Sequence, residues 1–405
     1  MKKNGINGFL LQNISYFCIV KQNKDIFRSL IGVILLLAPM KAIANDSIEV
    51  SLMTCAPHEE IYSLYGHSAL RWHDLRTGED WAFNWGVFDF HKPYFVARFV
   101  FGLTDYELGV YPYAFFLDEY KRVGSQVVEQ VLNLTSAEKE RLSQALKENL
   151  KPENRVYRYN YFYDNCSSRP RDMIERCIDG KIEYAPREDY SPSYREMVHL
   201  CVRNHPWAAF GNDMLLGLKA DLKTDQRQQE FLPDNLLYDF DRAKIYVNGE
   251  YRPLVKESRI ALPGGVQVIE QDFPLSPMAC FLIVLAVSAL LALVEWKRKK
   301  LLVWWDVVLM TLQGLAGLVL FVMLFSQHPT TTLNLQLLLL NPLPFFFLPA
   351  VIRKRPSRWW IIQLVLIAGF FLGGLFQQYA EGLMILALCL LYRSIINIKM
   401  NPKKA

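Results

Sequence analysis

Asn160-Tyr161-Phe162-Tyr163-Asp164-Asn165-Cys166-Ser167-Ser168-Arg169-Pro170-Arg171-Asp172 is the stretch on which the reading of this chain turns. Aromatic and polar residues alternate over residues 157–163, the two-residue period of an extended segment. Residues 173–178 read as helix. Cys166 therefore stands where an extended segment meets a helix N-terminus, and there the backbone N–H groups and the helix dipole favour a thiolate.

A nucleophilic cysteine needs a base, usually histidine, and a third group to orient the ring. His199 and His205 follow Cys166 beside charged residues. Upstream, Tyr65-Gly66-His67-Ser68-Ala69-Leu70 puts His67 at the start of a strand, residues 68–72. A turn at 74–79 closes a hairpin with a second strand, 81–90. Asn84 lies on that partner strand, in Ala82-Phe83-Asn84-Trp85-Gly86, within reach of the outer ring nitrogen. Cys166 has a competing role. The exported part carries Cys55, Cys166, Cys177 and Cys201, and disulfides form readily outside the cytoplasm. A Cys177–Cys201 pair with a buried Cys55 is one arrangement, and Cys166 in a disulfide is another.

The compartment follows from the rest of the 405 residues, of which 52% are hydrophobic, 13% aromatic and 21% charged. That aromatic content excludes a disordered chain. The apolar residues are distributed unevenly, with 45–274 polar and 275–405 mostly apolar, which excludes a purely soluble protein. Lys21, Lys24 and Arg28 precede the apolar run 30–37, which closes on Ala42-Ile43-Ala44, the pattern of a cleaved signal peptide over residues 1–44. Within 45–274, residues 135–150 read as an amphipathic helix capped by Thr135 or Ser136, with Glu138 in its first turn.

Five apolar segments follow: 278–294, 301–325, 335–352, 359–376 and 383–398. Asn341-Pro342-Leu343-Pro344 breaks the third, which is expected to be kinked or re-entrant. The loops at 295–300 and 353–358 and the tail 399–405 are basic, whereas 326–332 and 377–382 contain no Lys or Arg. The positive-inside rule puts the basic loops in the cytoplasm and the polar domain outside. The net charge of +5 is thus a topology signal and gives no support to a nucleic-acid partner. Asp306 is expected to reach water or pair with Lys300, and His328 to sit in an outer turn. No metal-ligand spacing or phosphate-cradling glycine loop is present, so neither a metal nor another cofactor is expected.

Histidine in an early strand followed by a cysteine opening a helix resembles the circularly permuted, papain-like NlpC fold. Lecithin–retinol acyltransferase and its relatives use that fold, with an Asn-Cys pair like Asn165-Cys166. More closely, Tyr65-Gly66-His67-Ser68-Ala69-Leu70-Arg71, Phe83-Asn84-Trp85-Gly86 and the cysteine stretch are similar to the Lnb family of bacterial lipoprotein N-acyltransferases. The resemblance implies an α+β exported domain over 45–274, followed by an all-α, five-helix membrane domain over 275–405 in the bacterial inner membrane. It implies transfer of an acyl chain from a phospholipid to the N-terminal cysteine α-amine of a lipoprotein, through a thioester on Cys166 with His67 as base. Asn84 as orienter is a geometric reading and not a matched family position; where the related acyltransferases often use a second histidine soon after the first, this chain offers His73, which precedes the turn, and Asn84, which is preferred. Tyr163, Asn165, Arg169 and Arg171 flank the nucleophile as substrate-binding candidates. The two arginines either grip a lipid phosphate or pair with Asp164 and Asp172. The aromatic stretches 88–101 and 106–116 are candidates to dip into the interface, with Lys92 and Arg98 near phosphates. Two other readings remain open, a membrane-anchored papain-like cell-wall peptidase or amidase, and a non-catalytic membrane scaffold.

Overall fold

The computed structural model describes residues 47–88, 93–94, 98, 101–103, 105–188, 190–267 and 273–400. The expected signal peptide, Lys92 and most of 88–101 lie outside the described residues. The polar part is built on a seven-stranded antiparallel sheet. β1 (Ile48–Cys55), β2 (His67–Asp74) and β3 (Glu79–Val87) form a meander that contains the expected β2–β3 hairpin, and β4 (Asp105–Pro112) extends it. α1 (Tyr113–Arg122), β5 (Val127–Leu132), α2 (Ser136–Asn149), the short edge strand β6 (Val156–Arg158) and α3 (Ser168–Cys177) follow. After β7 (Lys181–Glu183) come α4 (Tyr194–Cys201), α5 (Pro206–Leu215) and α6 (Pro233–Arg242), then β8 (Lys244–Val247), β9 (Glu250–Pro253) and β10 (Val255–Leu262). The large sheet runs β10-β5-β1-β2-β3-β4-β6, and β7, β8 and β9 form a second, smaller one.

The large sheet is covered on both faces, which is why β1 is buried at six consecutive positions although its sheet is antiparallel. Val50, Leu52, Leu70 and Trp85 pack on Leu142 of α2, Ile174 of α3 and Phe240 of α6. Met53, Ala69 and Ala82 pack on Tyr113 and Phe116 of α1. Thr135 caps α2 in a reciprocal capping box with Glu138, as its sequence predicts. Residues 106–116, candidates for the membrane interface or for ordinary core packing, form most of β4 and the start of α1. Tyr113 and Phe116 are buried in the sheet's core, and of the aromatic residues in this stretch Phe115 alone is largely exposed.

Among the described residues the apolar part holds five α-helices: α7 (Pro277–Arg298), α8 (Val303–Met323), α9 (Pro344–Ile352), α10 (Trp359–Gly373) and α11 (Leu383–Met400). Among the described residues α7, α8 and α11 are long and apolar enough to cross a membrane, and α10 is a shorter apolar helix. The third segment is broken as expected. A 3₁₀ turn at Leu335–Leu338 precedes the break, and α9 resumes at Pro344. The broken backbone is sheltered by protein: a Cβ on Gly317 of α8 would collide with the backbone of Asn341. Asp306 departs from expectation. It is buried and bound at 2.9 Å to Arg393 of α11, which also pairs with Glu295 of α7 at 2.6 Å. The ion cluster joins three helices, and Asp306 turns inward because its partner lies 87 residues away rather than at Lys300.

The polar part rests on the loops that carry no Lys or Arg. Asn334 Nδ2 donates to the Met214 carbonyl at 2.8 Å, and the Gly217 N–H donates to the Thr330 carbonyl at 2.8 Å. Gln377 Nε2 donates to the Leu216 carbonyl at 3.2 Å. This is the face that the charge pattern assigns to the outside.

Candidate active site

Three elements converge on one end of the sheet. β2 begins at His67, which Gly66 precedes in the left-handed region at φ +73°. A Cβ at Gly66 would approach the Cys55 carbonyl oxygen to 2.8 Å, so the tight entry to β2 requires glycine. β3 brings up Asn84, whose Oδ1 lies 2.6 Å from His67 Nε2. That bond fixes Nε2–H as the donor and leaves Nδ1 for the thiol. Beyond Asn84 the pairing of β3 with β4 slips by a bulge between Trp85 and Val87, with Gly86 at φ +122°. A Cβ there would stand 3.6 Å from His67 Cε1 and 4.0 Å from Cys166 Cβ, so Gly86 forms the floor under the pair.

Cys166 enters from the loop before α3, which starts at Ser168, five residues earlier than the sequence pattern suggests. Asn165 organises this turn. Its Oδ1 accepts from the N–H groups of Ser167 and Ser168 at 2.9 and 3.0 Å, and its Nδ2 donates to the carbonyls of Tyr161 and Phe231. The side chain thus serves as the cap that Ser167 does not supply. Ser167 Oγ lies 3.0 Å from Ser68 Oγ, tying the cysteine loop to β2.

Burial pushes the Cys166 thiol up. The adjoining His67 ring and its hydrogen bond, the Ser68 N–H and the Ser167 hydroxyl outweigh burial and hold the thiol below its ordinary value of 9.0. Burial pushes His67 down, and the neighbouring Cys166, the bonds to Cys166 and Asn84 and the charge of Glu119 outweigh it, so the imidazole lies above 6.5. The other exported cysteines go the opposite way. Burial raises Cys55 far above the usual thiol range, raises Cys177, and pushes Cys201 up to about 12. All four are free in the structure, so neither arrangement of disulfides is formed.

The remaining candidates lie as follows. Arg169 grips Asp164 through Nε and Nη2 at 2.6 and 2.7 Å and stacks over the Tyr157 ring at 3.4 Å. Arg171 is buried against Asp172 and Glu230 and donates to the Arg227 carbonyl. Their geometry favours the intramolecular pairing over the phosphate grip. Asn165 is buried and fully engaged. Tyr163 is about half exposed and, with Asp164 and Arg169, lines a cavity of about 560 Å³ between α2 and α3 that also takes in Trp85 and Asn149 but not Cys166. Arg98 pairs with Asp105 at 2.7 Å. His73 lies at the other end of β2 from His67, with Nδ1 3.3 Å from Arg71. Among the described residues no group of three or more potential metal ligands occurs.

Gly86, Ser68 and Glu119 belong to the site without having been singled out. Gly86 left a signal, since a glycine inside a strand pattern marks a bulge or a close approach. Glu119 left none, because α1 brings it near His67 only through the fold.

A half-buried thiol, an imidazole and an amide converge on an α+β domain joined to a helical membrane domain, the architecture of a membrane-bound protein with a cysteine site outside the bilayer. Residues 38–199 match the model of the Lnb N-terminal periplasmic domain and residues 268–405 that of the Lnb transmembrane domain; the chain belongs to the Lnb family. No curated protein and no solved structure matches it.

Proposed function

We propose that this chain is a lipoprotein N-acyltransferase of the bacterial inner membrane, with residues 1–44 a cleaved signal peptide, 45–274 the periplasmic catalytic domain and 275–405 the membrane domain. The observation that carries the reading is geometric: Cys166 stands just before α3, the Gly86 position lies against both Cys166 and His67, and His67 Nε2 is held 2.6 Å from Asn84 Oδ1, with the Cys166 thiol shifted toward the thiolate.

The Cys166 thiolate attacks an ester carbonyl of a phospholipid. The oxyanion is taken by the Cys166 N–H in the turn that opens α3, where helix N–H groups favour negative charge. His67, protonated in the resting pair, gives its proton to the departing lysophospholipid alkoxide and leaves a thioester on Cys166. The α-amine of the lipoprotein's N-terminal cysteine then attacks the thioester. His67 Nδ1 takes the amine proton, the amide forms, and the thiolate–imidazolium pair is restored. Asn84 holds the ring throughout. Tyr163, exposed beside the cysteine loop, is the candidate for substrate contact. Seating the domain on the outer loops of the bundle keeps the thiol near two substrates that are themselves anchored in the membrane.

The test is mass spectrometry of lipoprotein N-terminal peptides from a strain whose only copy carries Cys166→Ala. Free α-amines are expected. N-acylated peptides at the wild-type level would overturn the assignment.

A further inference from the structure

An aromatic ladder runs up to the thiol. Tyr62 meets Phe88 edge-to-face with ring centroids 6.3 Å apart. Phe88 stacks on Tyr106 at 4.7 Å and 15°, and Tyr106 on Tyr159 at 4.2 Å and 18°. These rings come from four separate places in the chain; Tyr106 and Tyr159 pack against the core of the sheet, and the ladder leaves it at the Tyr62 end. Tyr62 is 62% exposed, and Phe88, Tyr106 and Tyr159 are half-buried.

The inner end reaches the nucleophile. Tyr159 precedes Asn160, which exchanges two backbone hydrogen bonds of 2.9 Å with Asp164 and so folds the chain back toward Cys166. Phe88, the second ring, stands two residues beyond Gly86, whose Cβ position lies 4.0 Å from Cys166 Cβ, and burial together with the charge of Cys166 raises the hydroxyls of Tyr106, Tyr157 and Tyr159. The strands that carry the ladder are fastened to the membrane part. Arg158, next to Tyr159, bonds Asp105 at 2.9 Å and Gln327 Oε1 at 2.5 Å, and the Gln327 N–H donates to the Phe101 carbonyl at 3.0 Å. The edge of the sheet that bears Tyr106 thus abuts the outer loop after α8.

Resting on the acyl-transfer reading above, we propose that Tyr62, Phe88, Tyr106 and Tyr159 form the wall along which the donor's long hydrocarbon chain lies while its ester carbonyl is presented to Cys166. The aligned ring edges of the stack offer a continuous, largely apolar surface that suits an unbranched chain, and the attachment to the outer loop sets that surface beside the lipid from which the chain comes. A role limited to packing would call for burial, and the exposed Tyr62 end lacks it.

The full-length protein in detergent is to be assayed with p-nitrophenyl butyrate and p-nitrophenyl palmitate, following acylation of Cys166. Tyr62→Ala, whose side chain is exposed, and Phe88→Ala are each expected to lower the palmitate-to-butyrate ratio of kcat/KM about tenfold, since a few lost methylene contacts suffice for that. An equal loss on both esters, an unchanged ratio, or a rise only in the KM for a lipopeptide acceptor overturns the proposal. A wild-type protein that is acylated by neither ester overturns the acyl-transfer reading and the ladder with it, an outcome distinct from a failed ratio.

Discussion

His67 Nε2 stands 2.6 Å from Asn84 Oδ1, across a hairpin of which each residue occupies one strand. The amide decides which ring nitrogen meets the sulfur. Its loss in Asn84→Ala frees the ring to turn and removes a bond to a charged group, worth about 1.5–3 kcal/mol. We expect kcat to fall by about 10- to 100-fold, and the rate of Cys166 alkylation to fall with it. A single-turnover acylation assay checks this, and wild-type turnover in the variant would remove Asn84 from the site.

The pH dependence of thiol reactivity follows from the two opposed shifts. Cys166 lies below 9.0 and His67 above 6.5, so each group favours the charged form of the other and the thiolate–imidazolium pair is stabilised relative to two isolated groups. Iodoacetamide should therefore label Cys166 at lower pH than an ordinary thiol. In His67→Ala burial is left in control, and the labelling profile should move to higher pH. Coincident profiles for the two proteins would show that the imidazole does not set the thiol.

Gly86 tests the floor of the site. Alanine at φ +122° costs about 1–3 kcal/mol of backbone strain, and its methyl group stands 3.6 Å from His67 Cε1. Gly86→Ala should melt lower and lose acylation by more than its loss of stability explains. A thermal melt run beside the acylation assay separates the two effects, and full activity per folded molecule would place the bulge outside the chemistry.

Arg393 is a question of stability alone. Replacing it with alanine leaves Glu295 and Asp306 buried without a cation, with only the Leu302 N–H and the Asn397 amide donating to them, a loss of about 3–5 kcal/mol. Arg393→Met combined with Glu295→Gln and Asp306→Asn should recover most of that loss, measured by thermal unfolding in detergent, with Cys166 labelling unchanged. Destabilisation of the triple variant as large as that of the single one would show that the charges themselves hold the helices.

The features legible in the sequence were local ones. The His67–Asn84 hairpin needs only a turn and two alternating strands, and the capping box of α2 needs only Thr135 and Glu138. The break in the third apolar segment is written in Asn341-Pro342-Leu343-Pro344. The features that were not legible depend on partners distant in sequence. Arg171 is held by Glu230, 59 residues away, and Asp306 by Arg393, 87 residues away. Residues 106–116 looked interfacial because they are aromatic, but the sheet needed β4 between β3 and β6, and α1 to cover its second face.

Asn165 separates a structural role from a substrate-binding one at a residue whose sequence position fits both. Its oxygen accepts from Ser167 and Ser168, and its nitrogen donates to Tyr161 and Phe231. Asn165→Ala strips the cap from α3 and should cost about 1–2 kcal/mol. Asn165→Asp keeps the acceptor but loses both donors and sets a carboxylate against two buried carbonyls, so it should be at least as unstable. If Asn165 acts only on the turn, both variants slow Cys166 alkylation while the KM for the lipid donor stays as in the wild type. A rise in that KM with normal alkylation would instead return Asn165 to the substrate side of the site.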